Sequence, residues 1–322
     1  MSIRGATAFR VVSALFLSGL LSGCGGGDDS EPKELRIAEQ YGLAYAPLNL
    51  MKQYGLLEEE LPDYEITWTR LTNAASIREA IVARRLDVGF MGIPPFLIGV
   101  DREMDWQVFS ALSQVPLGLV TLRDEYEDLS DLAEGQGRIA VPQPGSIQHI
   151  LLSMAAERRF GEAGLFDDQL VTLSHPDAAQ ALVQESGVDA HFATPPYLID
   201  LTQVHGGRVL LGGAEAFGGE FTFTVGVAPA GFLRENPDFL DAFRSALADS
   251  LDLLSEEEAI EVLGDRYDIT PEEVKRQLEQ EGMRFAEPLR GVETFSRFMA
   301  GSGYLSEDVA ETHALVHDGA RP

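Results

Sequence analysis

The sequence contains little cysteine, few basic residues and no long apolar run. Its single cysteine among 322 residues is Cys24, so neither an intramolecular disulfide nor a cysteine cluster for a metal can form. The chain has 24 Lys and Arg residues against 52 Asp and Glu residues, a net charge of −28 at pH 7. Such a surface repels nucleic acid and anionic lipid head groups, so we expect no nucleic-acid partner. No apolar run reaches the ~20 residues that span a bilayer.

The N-terminal segment has the pattern of a secretory signal. Arg4 and Arg10 precede an apolar run over residues 11–21, whose length lies within the ~7–15 residues of a signal peptide's apolar core. The sequence LSGC at residues 21–24 resembles a bacterial lipobox, in which the cysteine thiol receives a diacylglycerol group and cleavage leaves the cysteine as the new N-terminus. An ordinary signal peptide with a chance cysteine is the alternative.

This pattern predicts a lipid-anchored protein outside the cytoplasm. We expect residues 1–23 to be the signal peptide and Cys24 to carry the lipid, including palmitate. The glycine-rich, acidic residues 24–34 are then a flexible tether. The expected location is the periplasm or the cell surface, with Cys24 as the membrane anchor. The sequence leaves open which membrane holds it.

Short β-rich segments alternate with helical segments along the rest of the chain. The alternation predicts an α/β fold, in which mostly parallel sheets carry helices on both faces. Helix starts are predicted at Pro47, at Pro94, at Ser146, and at a capping box formed by Ser76 and Glu79. After residue 236 the pattern is mostly that of amphipathic helices.

One internal repeat indicates two lobes built on the same plan. The sequence DVGFMGIPPFLI at residues 87–98 matches DAHFATPPYLI at residues 189–199, with one residue gapped. Both run from a strand through a turn and a Pro-Pro pair into a helix. Because ligands of open α/β sheets lie beyond the carboxyl ends of the strands, these two turns are expected on opposite walls of one cleft.

Four segments carry a resemblance to a known family. They are RIAEQYGLAYAPL, REAIVARRLDVGFMGIPP, IAVPQPGSIQHILL and GVDAHFATPPYL, which begin at residues 36, 78, 139 and 187. In this order and spacing the chain resembles the periplasmic solute-binding proteins of the nitrate, sulfonate, taurine and thiamine-precursor ABC importers. The resemblance implies a type II-like binding-protein fold, with two α/β lobes joined by two hinge strands and a ligand enclosed between them. It also implies a monomer that meets permease and ATPase subunits.

The resemblance places the hinge crossings near Thr121-Leu122 and Phe221-Thr222. Lobe one is then residues 35–121 and 222–322, and lobe two is residues 122–221.

The residues expected to hold the ligand lie just after the ends of strands or at the beginnings of helices. They are Gln40, Tyr41, Tyr45, Asn73, Ser76, Gly92, Pro94, Ser146, Gln148, His191 and Thr194. For Tyr41 and Tyr45, packing of the loop is an equally good reading, and Ser146 can act as a helix cap and still donate to an anion. His149 is a weaker candidate than His191, because its position one turn inside the helix predicts a side chain exposed to solvent.

The cleft loops also limit the chemistry of the ligand. No Lys or Arg occurs in EQYGLAYAP, TNAAS, MGIPP, PQPGSIQH or HFATPP. A ligand with two or more charges would be buried there without a countercharge, which is costly. We therefore expect either a monoanionic sulfonate-like solute or a neutral nitrogen heterocycle with amine character. Glu39 is available to pair with an amine, and Tyr41, Tyr45, Phe96 and Tyr197 offer flat faces to a ring.

Two other functions are alternatives. A pyrimidine-precursor-forming enzyme shares this fold, but it relies on iron and a cysteine-rich segment, and this chain has one cysteine. A sensory lipoprotein without transport shares every feature above. The hydrolase and nucleotide-binding motifs G-x-S-x-G, H-E-x-x-H and G-x-x-x-x-G-K-[ST] do not occur. His313 and His317 are four apart on a predicted helix, so they could bind a metal on one helix face, but a solvated surface pair is the favoured interpretation. We therefore expect no enzymatic activity, cofactor or metal.

Overall fold

A computed structural model of the chain describes residues 32–135 and 137–318. The chain divides into residues 1–32 and a compact body that begins at Lys33. The predicted signal peptide, Cys24 and most of the predicted tether lie outside the described residues. Within the described part, none of the helices combines the length and the apolar character needed to cross a bilayer.

The body contains two β-sheets. In chain order the strands are β1 (Lys33–Glu39), β2 (Tyr64–Arg70), β3 (Val88–Met91), β4 (Trp106–Gln114), β5 (Gly118–Thr121), β6 (Ile139–Val141), β7 (Leu170–Thr172), β8 (Ala190–Ala193), β9 (Arg208–Gly212), β10 (Thr224–Pro229) and β11 (Arg284–Phe285). The first sheet has the order β11-β4-β10-β3-β1-β2, and the second has the order β7-β6-β8-β5-β9.

Helices flank both sheets. They are α1 (Ala46–Tyr54), α2 (Leu56–Glu60), α3 (Ala74–Val82), α4 (Ile93–Asp101), α5 (Leu129–Gly135), α6 (Ile147–Phe160), α7 (His175–Val183), α8 (Tyr197–Ile199), α9 (Gly213–Phe217), α10 (Ala230–Glu235), α11 (Pro237–Asp252), α12 (Glu257–Tyr267), α13 (Pro271–Leu278), α14 (Val292–Gly301) and α15 (Val309–Thr312). Together with the two sheets they confirm the predicted α/β class.

The sheets are mixed, which the prediction of mostly parallel sheets did not anticipate. In the first sheet β1 is parallel to β2 and β3, whereas β10 is antiparallel to β3 and β4. In the second sheet β6 is parallel to β7 and β8, whereas β5 is antiparallel to β8 and β9. The antiparallel pairs arise where the chain passes from one sheet to the other.

The chain passes from one sheet to the other at two crossings, which divide the body into two halves. The chain leaves the first sheet after Gln114 and enters the second at Gly118; it leaves the second after Gly212 and returns at Thr224. The first crossing therefore lies a few residues before the predicted Thr121-Leu122, because β5 pairs within the second sheet. The predicted Phe221-Thr222 falls inside the second crossing.

Gly226 lies at the centre of β10. Glycine weakens a strand pattern. In the structure a side chain there would come within 2.7 Å of Phe109 and 2.8 Å of Phe90. These rings belong to an aromatic cluster, in which Phe109 also contacts Phe243 of α11 with ring centroids 5.2 Å apart. The glycine therefore permits close packing of the rings that cover the first sheet.

The internal repeat corresponds to a repeated piece of structure. Asp87 precedes β3 and accepts the backbone N–H of Arg36 in β1 at 2.9 Å. Asp189 precedes β8 and accepts the backbone N–H of Arg138, just before β6, at 2.8 Å. Each aspartate thus ties the start of one parallel strand to its neighbour. The two sheets share the order of their central strands, with an antiparallel crossing strand beside β3 and beside β8.

Candidate ligand-binding site

A narrow cavity of about 30 Å³ lies where the carboxyl ends of the parallel strands of both sheets meet. Its lining comes from the loops after β1, β2 and β3, from the loops after β6 and β7, and from the second crossing. The lining residues are Gln40, Tyr41, Tyr45, Thr72, Ala74, Gly92, Pro95, Pro142, Gln143, Ser146, Ile147, Gln148, His175 and Phe223. The lining contains no Asp, Glu, Lys or Arg residue.

The loop after β1 is held by a buried polar cluster. Glu39 is 1% exposed and accepts hydrogen bonds from Arg266 and Asn49. Burial raises the pKa of Glu39, while the nearby Arg266 and Arg70 favour its ionised form. Tyr267 donates to the Gly42 carbonyl, at 3.0 Å. The Glu39 carboxylate, which the sequence offered as a partner for a ligand amine, is thus already paired inside the body.

Two tyrosines of this loop reach the cavity in different ways. Tyr45 is 3% exposed, and burial raises its pKa, so the phenol stays protonated. Tyr41 is half-buried, and the Arg70 guanidinium lies over its ring at 5.2 Å. Gln40 donates to the Phe90 carbonyl at 3.0 Å, which fixes its amide at the end of β3. The predicted flat face of Phe96 is absent from the site, because this ring is fully buried against Trp106.

The N-terminus of α3 is capped by Asn73, not by the predicted pair Ser76 and Glu79. The Asn73 side chain accepts the Ser76 backbone N–H at 3.0 Å, and the Ser76 hydroxyl also donates to it, at 3.2 Å. Their polar atoms therefore satisfy each other at the helix start. Instead of these two residues, their neighbours Thr72 and Ala74 line the cavity.

Gln143 connects the two halves of the body across the cavity. It follows β6, and its side-chain oxygen accepts the Ala75 backbone N–H of α3 at 2.7 Å. A second bond crosses the cleft beside it, from the Leu43 backbone N–H to the Pro195 carbonyl at 2.9 Å. Gly92 also faces the other half, since a side chain there would lie 3.1 Å from Ile147.

Helix α6 presents three polar residues in its first turn, with different roles. Ser146 caps the helix by accepting the His149 backbone N–H at 3.3 Å, and it lines the cavity. Gln148 also lines the cavity and is 2% exposed. His149 is buried rather than solvated, contrary to prediction. Its Nδ1 accepts the Gly145 backbone N–H at 2.8 Å, and its Nε2 lies 2.8 Å from Asp167.

Two buried histidines stand behind Gln148. His175 Nε2 lies 3.2 Å from the Gln148 amide nitrogen, and His175 Nδ1 lies 3.1 Å from His191 Nε2. His191 Nδ1 lies 3.1 Å from the Ala140 carbonyl. Burial and the neighbouring His191 lower the pKa of His175, and burial lowers the pKa of His191 to about 4. Both rings are therefore neutral at pH 7.

The predicted site residues fall into two groups. Those that line the cavity are Gln40, Tyr41, Tyr45, Gly92, Ser146 and Gln148, and those that do not are Asn73, Ser76, Pro94, His191 and Thr194. Pro94 lies in the first turn of α4, where its neighbour Pro95 reaches the cavity. Thr194 is buried beside the Gly42 loop, and His191 reaches the site only through His175.

Sequence reasoning missed several lining residues, chiefly Thr72, Gln143, His175 and Phe223. Thr72, Gln143 and His175 follow the ends of strands, as did the residues that were found, whereas Phe223 lies in the second crossing just before β10. For Gln143 and His175 a signal was available, because Gln143 lies within the quoted PQPGSIQH loop and His175 opens a helix beside a proline.

The predicted pair of C-terminal histidines does not share a helix. His313 follows the end of α15, and His317 lies past an isolated bridge between Val316 and Val108. Among residues 32–135 and 137–318, no group of three or more metal-ligating side chains comes together.

Comparison with known proteins supports the resemblance read from the sequence. No protein-family model matches the chain. A protein of Escherichia coli named as an aliphatic sulfonates-binding protein is 30% identical over 209 residues, which cover 64% of this chain. The match spans 64% of that relative's length. A protein of Bacillus subtilis with the same name is 27% identical over 253 residues, covering 74% of this chain and 71% of the relative.

Solved structures show the same fold. The alkanesulfonate-binding protein of Xanthomonas axonopodis pv. citri, in a structure with bound MOPS, superposes with a TM-score of 0.68. It is 23% identical, and the superposition covers 87% of this chain and 96% of that one. The periplasmic-binding-protein fold predicted from the sequence is thereby confirmed. In sequence and in fold, the chain is therefore similar to aliphatic sulfonate-binding proteins of ABC importers, in agreement with the resemblance given by its sequence segments.

Proposed function

We propose that this chain is the extracytoplasmic substrate-binding component of an ABC importer. It captures a small monoanionic solute of the sulfonate class between two lobes and delivers it to a permease. The observation that carries the proposal is the cavity, which is walled by strand ends from both sheets and lined by uncharged polar and aromatic side chains. The names of the two relatives point to the same ligand class.

The lining suits one negative charge better than two. The first turns of α3, α6 and α7 reach the cavity through Ala74, through Ser146 and Ile147, and through His175. Each helix start carries roughly half a positive charge. That partial charge, together with the side-chain amides of Gln40, Gln143 and Gln148 in the lining, favours a single anionic head group such as a sulfonate. A dianion would remain partly uncompensated, which is costly in a buried site.

The volume of the cavity limits the size of the group that can be bound there and indicates that the two lobes must move apart to admit a larger solute. About 30 Å³ is room for roughly two water-sized groups. This space matches a compact head group, so the lobes must separate to admit the rest of a solute. We propose that the halves carrying the first and second sheets are the moving lobes and that residues 115–117 and 213–223 contain the hinges.

The amine character expected of a heterocyclic ligand loses its support, because Glu39 is buried and paired. A neutral heterocycle stays a second candidate, because Tyr41 and Tyr45 both line the cavity. A catalytic role finds no support in the relatives, both of which are named as binding proteins.

Calorimetry with matched ligands tests the proposal. Ethanesulfonate, ethyl phosphate, succinate and an aminopyrimidine are titrated into the body alone, residues 33–322. We expect micromolar or tighter binding of ethanesulfonate and at least a hundredfold weaker binding of the two dianions. A dianion that binds as tightly as ethanesulfonate, with an affinity that Ser146→Ala leaves unchanged, would overturn the assignment. Tight binding of the aminopyrimidine alone would favour the second candidate.

A further inference from the structure

Behind the cavity, Gln148, His175 and His191 form a chain of hydrogen bonds that ends at the Ala140 carbonyl. The carbonyl at the end of this chain determines which atom of each pair donates the proton. A carbonyl oxygen can only accept a hydrogen bond, so the 3.1 Å contact between His191 Nδ1 and the Ala140 carbonyl requires a proton on Nδ1. In a neutral imidazole the other nitrogen is then an acceptor. His191 Nε2 therefore accepts, and its partner must donate.

The same reasoning passes through His175 to the cavity. Because His191 Nε2 accepts, the proton of the 3.1 Å contact lies on His175 Nδ1. His175 Nε2 is then an acceptor as well, and only an N–H can face it at 3.2 Å. Of the two ends of the Gln148 amide, the NH₂ group must point toward His175.

The surroundings of the pair keep both rings neutral. His191 lies in β8 and is fully buried, and His175 is 7% exposed. Tyr197 of α8 stacks on His175 with ring centroids 5.9 Å apart, and burial raises its pKa to about 12, so its phenol is uncharged. Asp177, on the same helix as His175, is occupied by the Ser174 hydroxyl, which donates to it at 2.5 Å.

We propose that His175 and His191 form a tautomer relay that fixes the orientation of the Gln148 amide in the ligand cavity. Without the relay the amide is free to turn by half a rotation, which exchanges its donor end for its acceptor end. With the relay in place, Gln148 gives one N–H to His175 and keeps its second N–H and its carbonyl oxygen for other partners. The two histidines are positioning residues, and Gln148 is the residue that contacts the ligand.

The ligand part of this inference rests on the proposed function, whereas the tautomers do not. His149 supplies an internal contrast, because its Nδ1 accepts a backbone N–H and its proton must therefore lie on Nε2. The relay thus predicts the Nδ1–H tautomer for His175 and His191 and the Nε2–H tautomer for His149 in one protein.

The experiment is ¹⁵N NMR of the imidazole rings in the ligand-free body at pH 7, assigned with single His→Gln variants. Neutral Nδ1–H signals from His175 and His191, beside an Nε2–H signal from His149, are expected. An Nε2–H or protonated ring at either relay position would overturn the proposal.

A second variant links the relay to binding. In Gln148→Glu an acceptor replaces the N–H that faces His175, so His175 must move its proton to Nε2 or gain one. We expect the His175 signal to change accordingly and the affinity for ethanesulfonate to fall at least tenfold, whereas Gln53→Glu, on the exposed face of α1, changes neither. An unchanged His175 signal in Gln148→Glu would overturn the relay. If the unmodified body fails to bind ethanesulfonate, the proposed function fails, and the NMR signals still decide the relay.

Discussion

Gln143 and Ala75 lie on opposite sides of the cavity and share a hydrogen bond of 2.7 Å, from the Ala75 backbone N–H to the Gln143 side-chain oxygen. Gln143 follows a strand of the second sheet, and Ala75 lies in the first turn of α3 beside the first sheet. Both the Gln143 side chain and the start of α3 face the site, so the proposed closure of the lobes and the proposed capture of a ligand involve the same atoms.

The Gln143→Ala variant is expected to loosen the ligand-free closed form. One net hydrogen bond contributes about 0.5–1.5 kcal/mol, so the ratio of closed to open molecules should fall by up to roughly tenfold. The measurement is the distance between two dyes, one on each lobe, by single-molecule energy transfer. Because the natural chain has only Cys24, a body without that residue can take two engineered cysteines without background labelling. Gln53→Ala should leave the distances unchanged, and equal distances in both variants would contradict the role of Gln143.

The Gly92→Ala variant is expected to weaken ligand binding more than it weakens folding. The added methyl group would lie 3.1 Å from Ile147, which belongs to the other half of the body. The clash therefore acts on the closed form, and an open form avoids it. We expect the affinity for ethanesulfonate to fall about tenfold while the melting temperature of the ligand-free body changes by less than about 3 °C. A large drop in melting temperature with unchanged affinity would contradict this location of the cleft.

Stability should decline between pH 6.5 and pH 4 because of the buried histidines. An unfolded histidine has a pKa of about 6.5, and burial lowers the pKa of His191 to about 4 in the folded chain. Protons therefore bind the unfolded state first, so this stability is fully present above pH 6.5 and is lost as the pH falls toward 4. The expected loss from His191 between pH 7.5 and pH 5 is about 2 kcal/mol.

Urea unfolding at pH 7.5 and at pH 5 measures this effect. Carboxylates add their own pH dependence, so the useful quantity is the difference between variants. His191→Asn should lose part of the decline, whereas His205→Asn, at an exposed histidine paired with Asp200, should keep it. The same decline in His191→Asn and in the unmodified body would contradict the neutral state of the buried ring.

The Cys24→Ser variant is expected to release the mature protein from membranes. Cys24 and most of the predicted tether precede the compact body that begins at Lys33, so the fold and ligand affinity should not change. Fractionation of cells that express the full chain measures the effect, with Ser30→Ala as the control that stays in the membrane fraction. A Cys24→Ser protein that still requires detergent for extraction would contradict the lipobox.

The sequence predicted the walls of the site better than its polar contacts. Strand ends and helix starts are local patterns, so Gln40, Gly92, Ser146 and Gln148 were recognised at cavity positions. The Ala75–Gln143 bond joins residues 68 apart, and the His175–His191 contact joins residues 16 apart. Such pairs depend on how the two sheets meet, which no local pattern shows. For the same reason Glu39 was expected at the ligand, although Arg266, far along the chain, neutralises it inside the body.

Small-angle X-ray scattering with and without saturating ethanesulfonate tests the central claim most directly, because it asks in one measurement whether the proposed ligand binds and whether the two lobes close on it. The account predicts that the radius of gyration of the body, residues 33–322, is smaller with ethanesulfonate and that succinate at the same concentration leaves this radius unchanged. No compaction at ethanesulfonate concentrations that calorimetry shows to be saturating, or no binding at millimolar ethanesulfonate, would contradict the account.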